Sequence, residues 1–245
     1  MELSAFGWNI RLRLLRAREN YRIHASLNRK ITPQLKQLGS DDILIDKKYL
    51  RINVGGGKNH PKVDGWSIVD LRSTADYNVN LEKDQLPFDD NSIGVIFCSH
   101  TLEHINPHRL AHVLREFNRV LIPGGVLRVA VPDIELAIKH YVNKDRDFFE
   151  NADVSPLSRE LPIGGLLASW FYSSRLEEAT VVGKGEGHVH CFDYDYMKYW
   201  LEKFNFTNVE RSSYRNSKVP ELRGIEFDRY EDESLFAEAI KPTRH

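Results

Sequence analysis

The sequence predicts a doubly wound α/β fold with a mostly parallel sheet. Three observations carry that reading: short apolar runs alternate with helical stretches, a glycine-rich turn closes the first run, and an aspartate closes the second. LRINVGGG, WSIVDL, IGVIFCSH and GVLRVAVPD are brief, rich in Val and Ile, and bounded by Gly, Pro or Asp. Such runs fit strands buried on both faces.

Between the last two runs lies RLAHVLREFNRVLIPGG, where Leu110, Val113, Leu114, Phe117, Val120 and Leu121 recur at helical spacing. Pro123, Gly124 and Gly125 stop that helix. A later segment, about 134 to 192, is aromatic and punctuated by Pro156, Pro162, Gly164 and Gly165. It reads as an irregular lid inserted over the site, because long loops in compact domains usually cover or bind something. Asp193 then caps a helix through Tyr196, Trp200 and Leu201 to about Phe204, and FTNVERSSY and SLFAEAIKP read as closing strands.

Residues 1–40 form a separate expectation, a basic helical extension in front of a catalytic domain spanning 41–245. Arg11, Arg13, Arg16, Arg18, Arg22, Arg29, Lys30 and Lys36 face only Glu2 and Glu19 there, while Ile10, Leu14, Ala17, Tyr21 and Ala25 share one helical stripe. Such a segment packs on the main domain or touches a membrane surface, an acidic partner or RNA.

The 245 residues are 41% hydrophobic, enough for one large core. A net charge of −1 does not advertise nucleic acid, which is an unfavoured partner. Cys98 and Cys191 make no disulfide framework, and neither a spanning apolar run nor a signal-peptide core is visible. The expected location is the cytoplasm, with peripheral membrane contact through the basic end. No signal for oligomeric state is present.

Gly55, Gly56 and Gly57 end the first strand, where glycine permits positive φ and close approach of a ligand. His60 stands where a dinucleotide fingerprint needs its third glycine, and no G-K-[ST] follows, so nicotinamide and Walker-type binding are disfavoured. Asp70, at the end of the second strand, is placed to accept hydrogen bonds from both hydroxyls of an adenosine ribose.

RINVGGG, VDL, LPFDDNSIGVIFCSHTLEH and EFNRVLIPGGVLRVAVPD resemble the successive motifs of class I S-adenosylmethionine-dependent methyltransferases of the small-molecule type. The resemblance implies a seven-stranded Rossmann-like sheet and S-adenosylmethionine as cofactor. It sets the methionine part of the cofactor against Gly55, Gly56 and Gly57, with Asn53 and Val54 leading into them, and the ribose on Asp70 beside Leu71. Asn80 and Leu81 would flank the adenine, and Ser99 and His100 the methionine or the methyl. Pro61 and Gly65 leave little room for the usual long helix after the first strand.

SHTLEH also contains H-x-x-E-H, the pattern of an inverted zinc-protease helix. Because it follows a buried strand, His100 is expected at the strand's carboxyl end, and no metal is expected. Quinone O-methyltransferases resembling this region carry E-x-x-E-H for magnesium, but His100 replaces the first glutamate, and imidazole suits magnesium poorly. His104 is open to a catalytic role or to a hydrogen-bonded wall position.

In GEGHVHCFDYDY, His188 and His190 alternate and are expected to point the same way. For a hydroxyl acceptor a base is needed, and His104, Asp133, His188 and His190 are the candidates. The segment from GHVHCFDYDYM through SLFAEAIKP resembles methyltransferases of polysaccharide and glycolipid biosynthesis, which implies O-methylation of a sugar. Trp170, Phe171, Tyr172, Phe192, Tyr194 and Tyr196 would supply a stacking wall for it. Two other classes remain open, a non-catalytic module of the same fold that binds a partner and an RNA methyltransferase that uses the basic end. No [DN]-P-P-[YF] signature of the kind that resembles base amino-methylation is present.

Overall fold

The computed structural model describes residues 41–57, 61–151, 160–172 and 187–243. The basic segment 1–40, and Lys58, Asn59 and His60 of the glycine loop, lie outside them.

Seven strands form one sheet: β1 (Leu50–Val54), β2 (Trp66–Asp70), β3 (Tyr77–Asn78), β4 (Ile93–Ser99), β5 (Leu121–Pro132), β6 (Thr207–Ser212) and β7 (Ser234–Ile240). Their order is β3-β2-β1-β4-β5-β7-β6. The strands from β3 to β5 pair in parallel, and β7 runs antiparallel to both β5 and β6. This is the Rossmann-like class I methyltransferase architecture. The chain order reverses between β1 and β4, so their carboxyl ends open on the crevice where such sheets bind ligands.

Alternation along β4 divides the core. Ile96 and Cys98 join Ile52, Val54, Leu127 and Val129 on one face, where α1 (Leu110–Val120) and α5 (Tyr194–Lys203) pack. Val95 and Phe97 point to the other face, against Val126, Trp66, Leu222 and Phe227. The segment before β1 closes over that second face, and Gly94 lacks a side chain because Ile45 occupies its place.

Helix α1 buries Leu110, Val113, Leu114, Phe117 and Val120, as the spacing predicts. It stops earlier than expected. Leu121 is already extended and pairs with Ile93, so Pro123, Gly124 and Gly125 lie within β5 and its register shift rather than at the helix end. No helix occurs among the described residues between β1 and β2, in keeping with Pro61 and Gly65.

The segment after β5 differs from the irregular lid expected. Its described residues form α2 (Ile134–Val142), α3 (Arg146–Asn151) and α4 (Ile163–Phe171), joined by a cluster of Ala137, Phe149, Leu166 and Trp170. Helix pairing buries the aromatic side chains that composition alone left without an address. Thus Trp170 is 6% exposed, while Phe192 is fully buried in the sheet core, where Tyr194 packs and donates its hydroxyl to the Val209 carbonyl. Tyr172 and Tyr196 remain exposed, so the six-ring wall is not assembled as expected.

Candidate active site

The glycine loop turns at the end of β1 with φ of +73° at Gly55 and +62° at Gly57, values that L side chains rarely adopt. Gly55 donates its N–H to the Val69 carbonyl, tying the loop to β2. A Cβ at Gly55 would overlap the side chain of Thr101, whose hydroxyl donates to the Val54 and Ser99 carbonyls. The close approach that demands this glycine is therefore Thr101, a neighbour that the motif does not reveal. Asn53 and Val54 are buried in β1 behind the loop.

Asp70 stands at the end of β2 and organises the same corner. One carboxylate oxygen accepts the Gly57 N–H at 2.9 Å and the other the Arg72 N–H at 2.9 Å. A carboxylate has roughly four acceptor sites, so each oxygen retains capacity for a hydroxyl donor. Leu71 beyond it is exposed and accepts from the Asn78 amide. Asn80 receives the Glu82 N–H on its side-chain oxygen and, through its own N–H, binds Asp84; Leu81 packs at the edge of the core. The predicted cofactor residues thus fall at the carboxyl ends of neighbouring strands. The loop, its positive φ values and the half-committed Asp70 fit the adenosine and methionine ends of S-adenosylmethionine.

Strand β4 ends at Ser99, and His100 follows with φ of +48°. Its N–H still donates to the Ala130 carbonyl, so the sheet holds the backbone while the chain turns sharply. The His100 ring then lies against Tyr230, with Nε2 2.8 Å from the Ser234 hydroxyl. The other ring nitrogen, Nδ1, is 3.3 Å from Glu103 Oε1. A short 3-10 turn, Leu102–His104, carries Glu103 into the interior at 1% exposure and leaves His104 at the surface.

The segment 187–192 reaches this turn through main-chain bonds. Val189 and His190 both donate to the Glu103 carbonyl, at 2.9 and 3.1 Å, and Ile134 donates to that of Phe192. His188 consequently faces Glu103 and His104, with the His104 and His188 rings 5.0 Å apart. His190 meets different neighbours, Phe192 and the Tyr196 hydroxyl at 3.2 Å. The two histidines do not point the same way as expected: one carbonyl receives both the Val189 and His190 N–H groups, which breaks the alternation, and only His188 reaches the cluster. One donor atom from each of Glu103, His104 and His188 lies within 4.8 Å of the other two.

Burial pushes the His188 imidazole down to about 4, against the opposing pull of Glu103. Burial by itself would raise the Glu103 carboxyl, but His100, then His104 and His188, outweigh it and hold the group below the usual carboxylate range. Desolvation lowers His190 as well. Asp133 is occupied structurally: it caps α2 by accepting from Glu135 and Leu136 N–H groups and pairs with Arg211 at 2.7 Å. Its carboxyl is raised by burial, which the capping bonds and Arg211 only partly offset.

Residues 70–129 match the family model described as a methyltransferase domain, about a quarter of the chain. Comparison with the curated proteins gives no match. Among solved structures, the chain is similar to an S-adenosylmethionine-dependent methyltransferase of Methanosarcina mazei, at 14% identity and TM-score 0.47, covering 87% of this chain and 99% of that one. A Thermotoga maritima S-adenosylmethionine-dependent methyltransferase gives 15% identity and TM-score 0.44, over 78% and 81% of the two chains. A complex of the Haloferax volcanii Trm112 methyltransferase activator with a methyltransferase gives 13% identity and TM-score 0.45, over 82% and 85%. The family match on this strand order supports a class I S-adenosylmethionine-dependent methyltransferase, with S-adenosylmethionine as its cofactor.

Proposed function

We propose that this protein methylates a hydroxyl of a small molecule, and that the acceptor is a sugar, free or within a surface glycan or its lipid-linked precursor. The observation that carries the hydroxyl reading is the meeting of His104 and His188 over Glu103, one short turn beyond the end of β4. When bound, S-adenosylmethionine supplies a methyl group on a sulfonium whose in-line displacement leaves a neutral thioether. A sugar hydroxyl is almost fully protonated near neutral pH, so the protein has to orient it and draw off its proton as the C–O bond forms.

Each residue has a distinct part. The glycine loop and Asp70 position the cofactor's ends, and Ser99 and His100 face the gap between cofactor and acceptor. His104 and His188 engage the acceptor hydroxyl, and the buried Glu103 carboxylate beside them supports them electrostatically. His190 and Asp133 leave the list of bases and act as positioning groups. His190 holds the 187–192 segment against Phe192 and Tyr196, and Asp133 starts α2. Support for a sugar rests on the exposed Tyr172, whose carbonyl receives the His188 N–H, and on Tyr196 near His190, rings suited to the apolar face of a pyranose.

A transfer assay with labelled S-adenosylmethionine tests the proposal, run against nucleotide sugars, oligosaccharides, lipid-linked glycans, quinones, phenols and RNA. Label on a glycan hydroxyl is the expected result. Turnover confined to RNA or to phenols rules out the sugar acceptor, and methylation at nitrogen or carbon alone rules out the hydroxyl chemistry.

A further inference from the structure

Glu103 is 1% exposed, yet neither of its carboxylate oxygens has a hydrogen-bond partner among the described residues. His100 Nδ1 at 3.3 Å and His104 Nε2 at 4.0 Å stand near Oε1 without completing a hydrogen bond. A buried carboxylate in that condition is strongly unfavourable unless a cation meets it. The groups around it have the chemistry of ligands.

We infer that Glu103, His104 and His188 form a binding site for a divalent transition-metal ion of the zinc class. The donor set is two imidazoles and one carboxylate. That set leaves further coordination positions for water or an acceptor oxygen, as in catalytic rather than structural zinc sites. Magnesium is disfavoured by the two nitrogen donors.

The surroundings favour the same reading. His104 Nδ1 lies 3.2 Å from the Gly187 carbonyl, an acceptor only, so Nδ1 carries the hydrogen and the lone pair resides on Nε2, the nitrogen nearer Glu103. Metal-bound histidines commonly give their second ring N–H to such a carbonyl, which sets tautomer and orientation. His100, held by Ser234, approaches the same carboxylate oxygen as His104. Bonds of about 2.0–2.2 Å to one ion would require the donors to draw together by roughly 1 Å from their present spread, within reach of side-chain rotation at the surface-exposed His104.

This site uses a residue that H-x-x-E-H does not contain. His100 turns to Ser234, and the third ligand comes from the segment after the helices α2 to α4. The proposed ligand set thus differs from the one that the spacing of H-x-x-E-H implies. The binding claim is independent of the methyl-transfer reading. Its consequence for methyl transfer rests on that reading: such an ion would bind and acidify the acceptor hydroxyl, the proton would leave to solvent, and His104 and His188 would act as its ligands in place of direct contact with the hydroxyl.

The test titrates zinc chloride into chelator-treated, tag-free full-length protein, with calorimetry and metal analysis after gel filtration. One equivalent is expected for the wild type, with affinity at least tenfold weaker in His104→Ala, in His188→Ala and in Glu103→Gln. His108→Ala, an exposed histidine outside the cluster, should bind like the wild type. Wild-type protein that takes up no stoichiometric zinc overturns the site, as does equal binding by His104→Ala, a surface variant expected to fold. S-adenosylmethionine binding is measured on the same samples: retained without zinc uptake, it rejects the metal alone, and lost in folded protein, it rejects the methyltransferase reading instead.

Discussion

Asp70 accepts the Gly57 N–H at 2.9 Å, so the carboxylate at the end of β2 shapes the glycine loop at the end of β1 before any ligand arrives. The two motifs are one structural unit. Replacing Asp70 should therefore damage both the ribose contact and the loop that lies beside it.

Asp70→Ala should weaken S-adenosylmethionine binding by roughly 10- to 100-fold, the worth of one or two charge-assisted hydrogen bonds. Asp70→Asn should fall between it and the wild type. Calorimetric titration of the three proteins decides this, and equal affinities would remove Asp70 from the cofactor site.

Gly55→Ala should destabilise the fold by about 1–3 kcal/mol, because the new methyl meets Thr101 in a left-handed backbone. Urea denaturation monitored by Trp fluorescence measures it. A stability unchanged within error would show that Thr101 yields freely.

Arg128 is fully buried between Asp228 and Glu238, at 2.5 and 2.8 Å, and also donates to Ser212 and Ser213. Arg128→Leu strands two buried acids and should cost about 3–5 kcal/mol in the same assay. Loss below about 1 kcal/mol would mean that the acids are neutralised or hydrated at little cost.

Arg119 hydrogen-bonds Glu116 through two nitrogens and holds its carboxyl below the usual 4.5, with burial opposing and the Leu86 N–H assisting. A depressed folded-state value means stability that is present above the unfolded value and is lost as pH falls through the folded one. Thermal melts between about pH 6 and 3 should thus show a shallower acid decline in Glu116→Gln, which starts less stable at pH 7. Parallel curves for the two proteins would contradict the pairing.

His104→Ala and His188→Ala should each reduce methyl transfer by about 100-fold or more while leaving S-adenosylmethionine affinity within twofold. His190→Ala should instead lower stability, since its ring packs on Phe192. Full activity in the first two variants would move the acceptor elsewhere.

Local sequence determined the strands, α1, the glycine loop and the aspartate after it, because each depends on short-range pattern: apolar runs for β1, β2, β4 and β5, a 3.6-residue repeat for Leu110 to Val120, and punctuation by Gly and Pro. The class of fold follows from those motifs in their order, and the cofactor from their resemblance to class I methyltransferases. Tertiary structure decided what depends on contacts between distant segments. Helix pairing took Trp170 into a core, and burial did the same for Phe192; a cap and Arg211 claimed Asp133. Of two alternating histidines it sent His188 to Glu103 and His190 to Tyr196, because the Glu103 carbonyl captures the N–H groups of Val189 and His190. No window of sequence contains both ends of those bonds, and the buried carboxylate they surround acquires its meaning only in three dimensions.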